Sequence, residues 1–214
     1  MPVQSSTQVK RVFHESYHAE PARRYLYHFG RYVSRGKFLP AKHILYLCQI
    51  LEDVEQHKIR RLIINLPPRY GKSETASRLF TSWYLGRNPD DEVMITSYGE
   101  DLATDMSRDA REILARYGYH LFGVELARES RAVARWGLKH RKGAMVAAGV
   151  EGPVYGRGAD LLIVDDPFKN MAEARSEARR RRVYEWFSAI ARSRLSPKGV
   201  IVVVMSRLHP QDLS

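Results

Sequence analysis

Residues 62–74 read Leu-Ile-Ile-Asn-Leu-Pro-Pro-Arg-Tyr-Gly-Lys-Ser-Glu, which predicts a buried strand running into a phosphate-binding loop. Gly71 lets the backbone wrap around a phosphate, and the N-terminus of the helix that follows presents N–H groups to the anion. In such a loop Lys72 reaches the β- and γ-phosphates of a nucleotide, and the Ser73 hydroxyl binds Mg²⁺. The usual pattern also has an earlier glycine at the position that Leu66 occupies in this chain. The assignment therefore needs support from another part of the sequence.

A second apolar segment, which ends in two acids, gives that support. Residues 161–166 read Leu-Leu-Ile-Val-Asp-Asp, and Pro167 follows them. Ligands bind at the carboxyl ends of strands in open α/β sheets, so both carboxylates are expected at that edge. In a nucleotide hydrolase Asp165 would hold Mg²⁺, and Asp166 would orient or deprotonate the attacking water. The alternative is a plain turn that closes the strand, but the phosphate-loop pattern upstream favours the nucleotide site.

Composition bounds the fold and the kind of partner. At 214 residues the chain suits one domain with room for a small appendage. A hydrophobic content of 44% with 10% aromatic residues argues against disorder. The net charge of +11 predicts a polyanionic partner, of which nucleic acid is the commonest.

Cysteine usage and hydropathy indicate the compartment. The single cysteine, Cys48, cannot form an internal disulfide and is predicted to lie in the core of a helix. No run of 18 apolar residues occurs, so no membrane span is predicted. Residues 1–10 lack the apolar region of a signal peptide. An intracellular, reducing environment is the simplest inference.

Alternating apolar segments predict an α/β fold with a mainly parallel central sheet flanked by helices. The predicted strands are 61–66, 93–97, 145–148, 161–166 and 200–205, with the strand at 145–148 on an edge. The helices predicted after the first strand are 72–86, 102–117 and 173–195. Another helix, with Cys48 on its apolar face, precedes the first strand. Residues 118–142 give no clear pattern.

Several segments, taken together and in order, resemble the large terminase subunit of tailed bacteriophages. The loop at residues 66–74 resembles the phosphate loop of that family, which lacks the usual first glycine. The other matching segments are residues 83–89, 96–98, 156–160, 164–167 and 206–213. The resemblance covers most of residues 38–213, and the ordered set is far more specific than any one segment.

This resemblance implies a P-loop NTPase fold of the RecA-like, additional-strand type. In that fold the strand after the acidic strand inserts beside the phosphate-loop strand. We expect a helical or partly disordered extension over residues 1–37 and an ATPase domain over residues 38–214. Family members also carry a C-terminal nuclease domain, which these 214 residues lack, so nuclease activity is not expected. Ile63 and Ile64 are then expected near an open sheet edge.

In this family the subunit is the ATP-driven motor that packages double-stranded DNA into a procapsid. The resemblance implies an ATP hydrolase that uses ATP and Mg²⁺. The implied partners are double-stranded DNA, further copies in a ring on the portal, the portal protein and the small terminase subunit, with no membrane. The implied location is the cytoplasm of the infected bacterial host, transiently on the viral procapsid. Two alternatives stay open: another nucleic-acid translocase or helicase-type ATPase, and a truncated nucleotide- or DNA-binding fragment with little turnover.

The resemblance also assigns roles to individual residues. Nucleotide contacts are expected from His43 and from the loop residues Pro68, Arg69, Tyr70, Gly71, Lys72, Ser73 and Glu74. The expected catalytic residues are Asp166, Lys72, Arg69 and Arg157, and the expected metal ligands are Ser73 and Asp165. The residues expected to couple hydrolysis to DNA movement are Ser206, Arg207 and His209. For both histidines a structural role is the alternative.

Two arginine features suggest contacts with other molecules. Arg157, between Gly156 and Gly158, is predicted to act in trans on the nucleotide of a neighbouring subunit, where an arginine stabilises charge on the transferring phosphoryl group. A run of positive charge consists of Arg179, Arg180, Arg181 and Arg182. This run could grip the DNA backbone, although a solvated helix face is the simpler interpretation.

Three positions depart from the pattern of related proteins. Many relatives carry Asp-Glu on the acidic strand, and the shorter Asp166 makes the position of the water depend on a small backbone shift. Leu208 stands where the coupling segment often has tryptophan. Glu151 stands where a small residue is expected, and the sequence offers no physical reason for it.

Overall fold

A computed structural model describes residues 19–127, 132–152 and 158–214, and six strands within these residues form one sheet. The strands are β1 Arg61–Asn65, β2 Glu92–Ser97, β3 Arg135–Gly137, β4 Ala144–Gly149, β5 Ala159–Asp165 and β6 Leu195–Met205. Their order is β1-β6-β5-β2-β4-β3, and every neighbouring pair is parallel except β3 with β4. The predicted α/β class with a mainly parallel sheet is confirmed.

Helices cover both faces of this sheet. They include α1 Leu26–Val33, α2 Lys42–Glu55, α3 Phe80–Arg87, α4 Glu100–Phe122, α5 Met171–Arg175 and α6 Glu177–Ser193. Residues 19–24 are also helical. A π-helical segment, Glu74–Leu79, runs directly into α3. The larger core packs α1 to α4 on one face of the sheet, and a smaller core packs α5 and α6 on the other. Within the described ranges no helix has the length and apolarity needed to cross a membrane.

The position of β6 between β1 and β5 confirms the predicted insertion. Val204 of β6 is in register with Ile64 of β1 on one side and with Asp165 of β5 on the other. The carboxyl ends of β1 and β5 are therefore level and about 10 Å apart, which is two strand spacings. This order leaves β1 at one edge of the described sheet, where Ile63 is 50% exposed and Ile64 only 5%.

Helix α2 lies against the larger core with its predicted apolar face. Its buried residues include Ile44, Leu47, Cys48, Leu51 and Val54. Burial raises the pKa of the Cys48 thiol to about 12, with a smaller contribution from the charge of Glu52. Cys48 is thus a core residue, as predicted. Leu26 and Phe29 of α1 belong to the same core, while the domain boundary at residues 37 and 38 stays a prediction.

The prediction that residues 145–148 form an edge strand was wrong. Strand β4 lies inside the sheet because the short strand β3 pairs with its outer side. A strand of three residues is too short to produce a visible alternation. What holds β3 in place is Trp136, which is 1% exposed and donates its indole N–H to Ser107 Oγ at 2.9 Å.

The helix predicted over residues 173–195 is in fact two helices. Ser176 is extended, with φ −72° and ψ 114°, and its hydroxyl accepts the N–H of Arg179 at the start of α6. Serine competes for local backbone groups in this way, which favours helix starts over helix interiors. The helix predicted to end at residue 117 continues to Phe122 and stops at Gly123, which has φ +69°.

The helix predicted over residues 72–86 contains the π-helical segment. Only the hydrogen-bonding type differs from the prediction, since residues 72–87 form one continuous helix in which Leu79, Phe80 and Trp83 are buried. At the end of the segment the N–H of Phe80 bonds to the carbonyl of Thr75, five residues earlier. Such wide turns are rare and are often found at functional sites.

The close packing of the turn before β4 against the backbone of Pro89 can be tested at Gly143. A Cβ on Gly143 would lie 2.7 Å from the carbonyl carbon of Pro89, so backbone would have to move. We expect Gly143→Ala to lower the free energy of unfolding by about 1–3 kcal/mol, the usual cost of overpacking. A Cβ on Gly99 would meet nothing within 4 Å, so Gly99→Ala is the control and should lose only the preference of the α4 N-cap for glycine over alanine, about 0.5–1 kcal/mol. Equal denaturation midpoints for both variants would contradict the packing described here.

Candidate active site

The phosphate-loop sequence forms a tight turn between β1 and the helix that begins at Lys72. Arg69 with φ 67° and Gly71 with φ 77° both adopt left-handed backbone. A Cβ on Gly71 would also lie 3.0 Å from Ile44 Cδ1. Both its dihedral angle and its surroundings therefore favour glycine at position 71.

Lys72 projects from the first helical turn toward the end of β5. Its side chain is 8% exposed, and its Nζ lies 3.3 Å from Asp166 Oδ2. A nearly buried cation must be paired. Lys72 and Asp166, which the sequence predicted to act on the same nucleotide, are therefore in direct contact.

The backbone of Asp166 is held in an unusual conformation. Its φ is 42°, in the left-handed region that few residues other than glycine, asparagine and aspartate adopt. Its N–H donates to Val204 O at 2.7 Å, and its carbonyl accepts the N–H of Tyr98 at 3.1 Å. Contacts from the ends of β2 and β6 thus maintain a conformation that costs on the order of 1 kcal/mol.

Asp165 is completely buried and receives two hydroxyl hydrogen bonds. Ser73 Oγ donates to Oδ1 at 3.1 Å, and Ser77 Oγ donates to Oδ2 at 2.5 Å. Burial raises the pKa of Asp165 to about 6, and the charge of Asp166 adds to this. The hydroxyls of Ser77 and Ser73 and the charge of Lys72 act in the opposite direction.

The donor set fits Mg²⁺. The Ser73 hydroxyl and the Asp165 carboxylate are adjacent hard oxygen ligands. Within the described residues, no group of three or more His, Cys, Asp and Glu side chains could hold a metal by itself. Mg²⁺ typically takes one or two protein ligands and completes its shell with water and substrate phosphates. Ser73 and Asp165 meet that requirement.

The segment after β6 contributes one residue to this site. The Ser206 N–H donates to Asp166 Oδ1 at 3.2 Å, and Ser206 Oγ donates to the carbonyl of Leu66 at 3.2 Å. Ser206 therefore connects the acidic residue with the start of the phosphate loop.

The other two predicted coupling residues point into their own turn. Arg207 is exposed and donates to Pro210 O at 3.2 Å. His209 Nδ1 accepts the N–H of Gln211 at 3.0 Å. The structure therefore brings Ser206 to the acidic residues but not the side chains of Arg207 or His209.

Asp212 fixes this turn. Although burial alone would raise its pKa, hydrogen bonds from His209, Ser214 and Leu208 lower the pKa of Asp212 below its usual value. Its Oδ2 accepts the N–H groups of Leu208 and His209 at 2.9 and 3.0 Å. The conformation of the turn is thus stabilised by hydrogen bonds within it.

Four of the predicted nucleotide contacts, Pro68, Arg69, Tyr70 and Glu74, are exposed. His43 Nε2 is 3.2 Å from Tyr70 O, and the two rings are 5.7 Å apart. Tyr70 is 52% exposed, and Glu74 pairs with Arg78 at 3.1 Å.

A comparison with protein families shows which family this chain belongs to. Residues 63–211 match the family described as "Terminase large subunit, T4likevirus-type, N-terminal". The chain belongs to this terminase family. No curated protein matches it. The matched range contains the phosphate loop, the acidic strand and Ser206, so the site described above lies within the terminase region.

The arginine run of this terminase chain is largely engaged within the molecule. Arg179 Nη1 bonds to Glu151 Oε2, and Arg182 Nε lies 3.4 Å from Glu151 Oε1. Arg180 Nη1 donates to the carbonyl of Ala174 at 2.8 Å. Glu151, which the sequence left unexplained, thus ties the segment after β4 to helix α6.

Two of these arginines still face solvent. The side chains of Arg181 and Arg182 are 77% and 59% exposed, whereas that of Arg179 is 15% exposed. Arg157, predicted to act in trans, lies outside the described residues.

Two buried hydroxyls near Asp165 were not predicted. Ser77 is 0% exposed and bonds to Asp165, and Ser97 is equally buried and in register with Asp165 on β2. Ser97 Oγ has no hydrogen-bond partner among the described residues. The only sequence signal for Ser77 was its position one turn after Ser73 on an otherwise apolar helix face. Two serines at this spacing are too common to indicate a functional site.

The burial of Asp165 predicts a pH-dependent gain in stability for Asp165→Asn. Because its pKa is raised from 3.8 to about 6, the charged carboxylate destabilises the folded protein above pH 6, by about 3 kcal/mol at most. The variant should melt on the order of 5 °C higher than wild type at pH 8. This advantage should shrink as the pH falls through 6, since the wild-type carboxyl then becomes neutral.

The control for this measurement is Asp105→Asn, which changes a carboxylate that is 54% exposed. Its melting temperature should follow that of wild type from pH 5 to pH 8. A lower melting temperature of Asp165→Asn at pH 8 would contradict the assignment of a destabilising buried charge.

Proposed function

We propose that this chain is the ATP-hydrolysing motor domain of a terminase large subunit. It couples hydrolysis of Mg-ATP to the translocation of double-stranded DNA into a viral procapsid. The observation that carries the proposal is the meeting of the phosphate loop with the acidic strand, where Lys72 contacts Asp166 and Ser73 contacts Asp165. Family membership and the insertion of β6 between β1 and β5 support a P-loop NTPase of the additional-strand type.

The loop residues bind the phosphates. The first helical turn at Lys72 offers backbone N–H groups and the positive end of the helix dipole. Lys72 supplies a cation that is already desolvated, and desolvation strengthens its attraction to an anion. Arg69 is exposed at the tip of the loop, and no partner for its guanidinium occurs among the described residues. It is therefore available to bind a phosphate with two hydrogen bonds.

Ser73 and Asp165 hold the metal. Mg²⁺, when bound, neutralises charge on the β- and γ-phosphates and on the leaving group. The Asp165 carboxylate is buried next to a hydroxyl that can exchange its hydrogen bond for metal ligation.

Asp166 acts on the attacking water. Its Oδ2 is paired with Lys72, and its Oδ1 accepts the N–H of Ser206. Phosphate oxygens compete for Lys72, so nucleotide binding releases Oδ2 to accept a hydrogen bond from water and then its proton. The left-handed backbone of Asp166 keeps the carboxylate in place during this exchange.

Ser206 couples this step to the rest of the domain. Because it bonds both to Asp166 and to the carbonyl of Leu66, a change at either residue moves the start of the turn after β6. That turn reaches helix α6, where Arg180 Nη2 donates to Gln211 Oε1 at 3.3 Å. We expect hydrolysis to be transmitted along this route to α6.

In the assembled motor, copies of the chain form a ring on the portal, and Arg157 of one copy acts on the nucleotide of its neighbour. The portal protein, the small terminase subunit and double-stranded DNA are the partners. The setting is the cytoplasm of the infected bacterium, transiently on the procapsid. The positive net charge of +11 is consistent with a DNA partner.

ATP turnover by this chain tests the proposal. We expect Mg²⁺-dependent hydrolysis that rises with double-stranded DNA and with protein concentration. Lys72→Ala should bind nucleotide weakly, whereas Asp166→Asn should bind it normally and lose about 10²–10⁴-fold in turnover. The control is Lys169→Ala, which removes an exposed lysine just after the acidic strand and should behave as wild type.

Two outcomes would change the conclusion. Nucleotide binding without turnover in wild type at every protein concentration would favour the second candidate, a nucleotide-binding fragment. The observation behind that candidate is the Lys72–Asp166 pair, which keeps both catalytic groups occupied. No nucleotide binding at all would overturn the proposal.

The exposed arginines of α6 give a separate prediction about DNA. Replacing Arg181 and Arg182 with alanine should reduce the slope of log affinity for DNA against log salt by about 1–2, since each phosphate contact contributes roughly 0.9. Arg108→Ala, on the opposite face of the sheet, should leave the slope unchanged. An unchanged slope in the Arg181/Arg182 variant would show that α6 does not contact the DNA backbone.

A further inference from the structure

We infer that Ser77 is a positioning residue that fixes the Asp165 carboxylate for metal binding, an inference that rests on the proposed function. Ser77 is completely buried, and its Oγ lies 2.5 Å from Asp165 Oδ2. Ser73 Oγ lies 3.1 Å from the other carboxylate oxygen. One hydroxyl from the loop and one from the π-helical segment therefore hold the two oxygens of a single carboxylate.

The direction of the Ser77 hydroxyl distinguishes it from its neighbours on the same helix. Thr81 Oγ1 donates to the carbonyl of Ser77 at 2.7 Å, and Ser82 Oγ donates to the carbonyl of Arg78 at 2.6 Å. Bonding back to the preceding turn is the ordinary behaviour of buried serine and threonine in helices. Ser77 instead donates across to β5, so its side chain serves the acidic strand.

The two serines differ in what they can do when Mg²⁺ binds. The Ser73 hydroxyl is the predicted metal ligand, so its hydrogen bond to Asp165 is exchanged when the metal binds. Ser77 is enclosed by the core and lies one turn further from the loop, so it keeps its bond. It would then hold Asp165 Oδ2, so that Oδ1 could serve as the metal ligand.

Loss of this hydroxyl would leave a buried carboxylate oxygen with no donor. Asp165 is 0% exposed, so water cannot easily replace the missing donor. The carboxylate would then be free to rotate, and this change weakens a metal ligand. The nucleotide phosphates would still bind Lys72 and the N–H groups of the loop. The defect should therefore appear in the metal dependence of nucleotide binding.

The test measures the affinity of a fluorescent ATP analogue with EDTA and with increasing Mg²⁺. For Ser77→Ala we expect an affinity in EDTA within twofold of wild type. The Mg²⁺ concentration needed for half of the metal effect should rise about 10-fold, as for other residues that orient metal ligands. The matched control is Ser82→Ala, an equally buried serine on the same helix, and it should match wild type in both measurements.

A second variant covers the case in which Ser77→Ala does not fold. Ser77→Cys keeps a similar shape but offers only a weak donor, so it should fold and still need several-fold more Mg²⁺. A wild-type Mg²⁺ response in either folded variant would overturn the inference while leaving the proposed function intact. Failure of the wild-type protein to bind the analogue would overturn the proposed function itself.

Discussion

The burial of one carboxylate, that of Asp165, constrains the whole region around the phosphate loop. A buried carboxylate needs donors on both oxygens, and these come from Ser73 and Ser77 on the helix that follows β1. The loop, the π-helical segment and β5 must therefore keep fixed relative positions. The same burial keeps the carboxylate out of water. A divalent cation would stabilise such a desolvated charge strongly. Both the relative positions of these three segments and the proposed metal binding therefore depend on Asp165.

The sheet order provides the second part of that geometry. Because β6 lies between β1 and β5, its last residues pass between the phosphate loop and the acidic strand. Ser206 consequently contacts both Leu66 and Asp166, and the backbone of Asp166 is held by Val204 and Tyr98. A sheet with β5 directly beside β1 would have no strand end in this position. The inserted strand is what connects the acidic residues with the turn after β6 and with α6.

Local patterns predicted the central elements because these carry strong signals. The apolar runs of β1, β2 and β5 are bounded by loops, and each occurs within a residue or two of its predicted range. The apolar face of α2 was equally clear, since Cys48 is buried there as predicted. The insertion of β6 came from the family resemblance, because no property of one sequence determines which strands are neighbours.

The features that escaped prediction depend on partners distant in sequence or on short-range polar bonds. Glu151 pairs with Arg179, 28 residues later, and nothing in either segment alone indicates the pairing. The Ser77 bond to Asp165 spans 88 residues. The spacing of apolar residues also does not distinguish an α-helix from a π-helix here, because both would bury the same apolar side chains around Ser77. Arg207 and His209 were expected to couple hydrolysis to DNA movement, but the turn organised by Asp212 directs their side chains away from the acidic residues.

The most direct test of the account is a crystal structure of this chain with a non-hydrolysable ATP analogue and Mg²⁺. The account predicts phosphates in the loop at residues 66–73, Lys72 moved from Asp166 to a phosphate oxygen, and Ser77 still bonded to Asp165. A groove of about 600 Å³ beside α4, lined by residues that include Glu74, Arg78 and Asp109, is the alternative location for the nucleotide. Nucleotide in that groove, with the Lys72–Asp166 pair intact, would contradict the account.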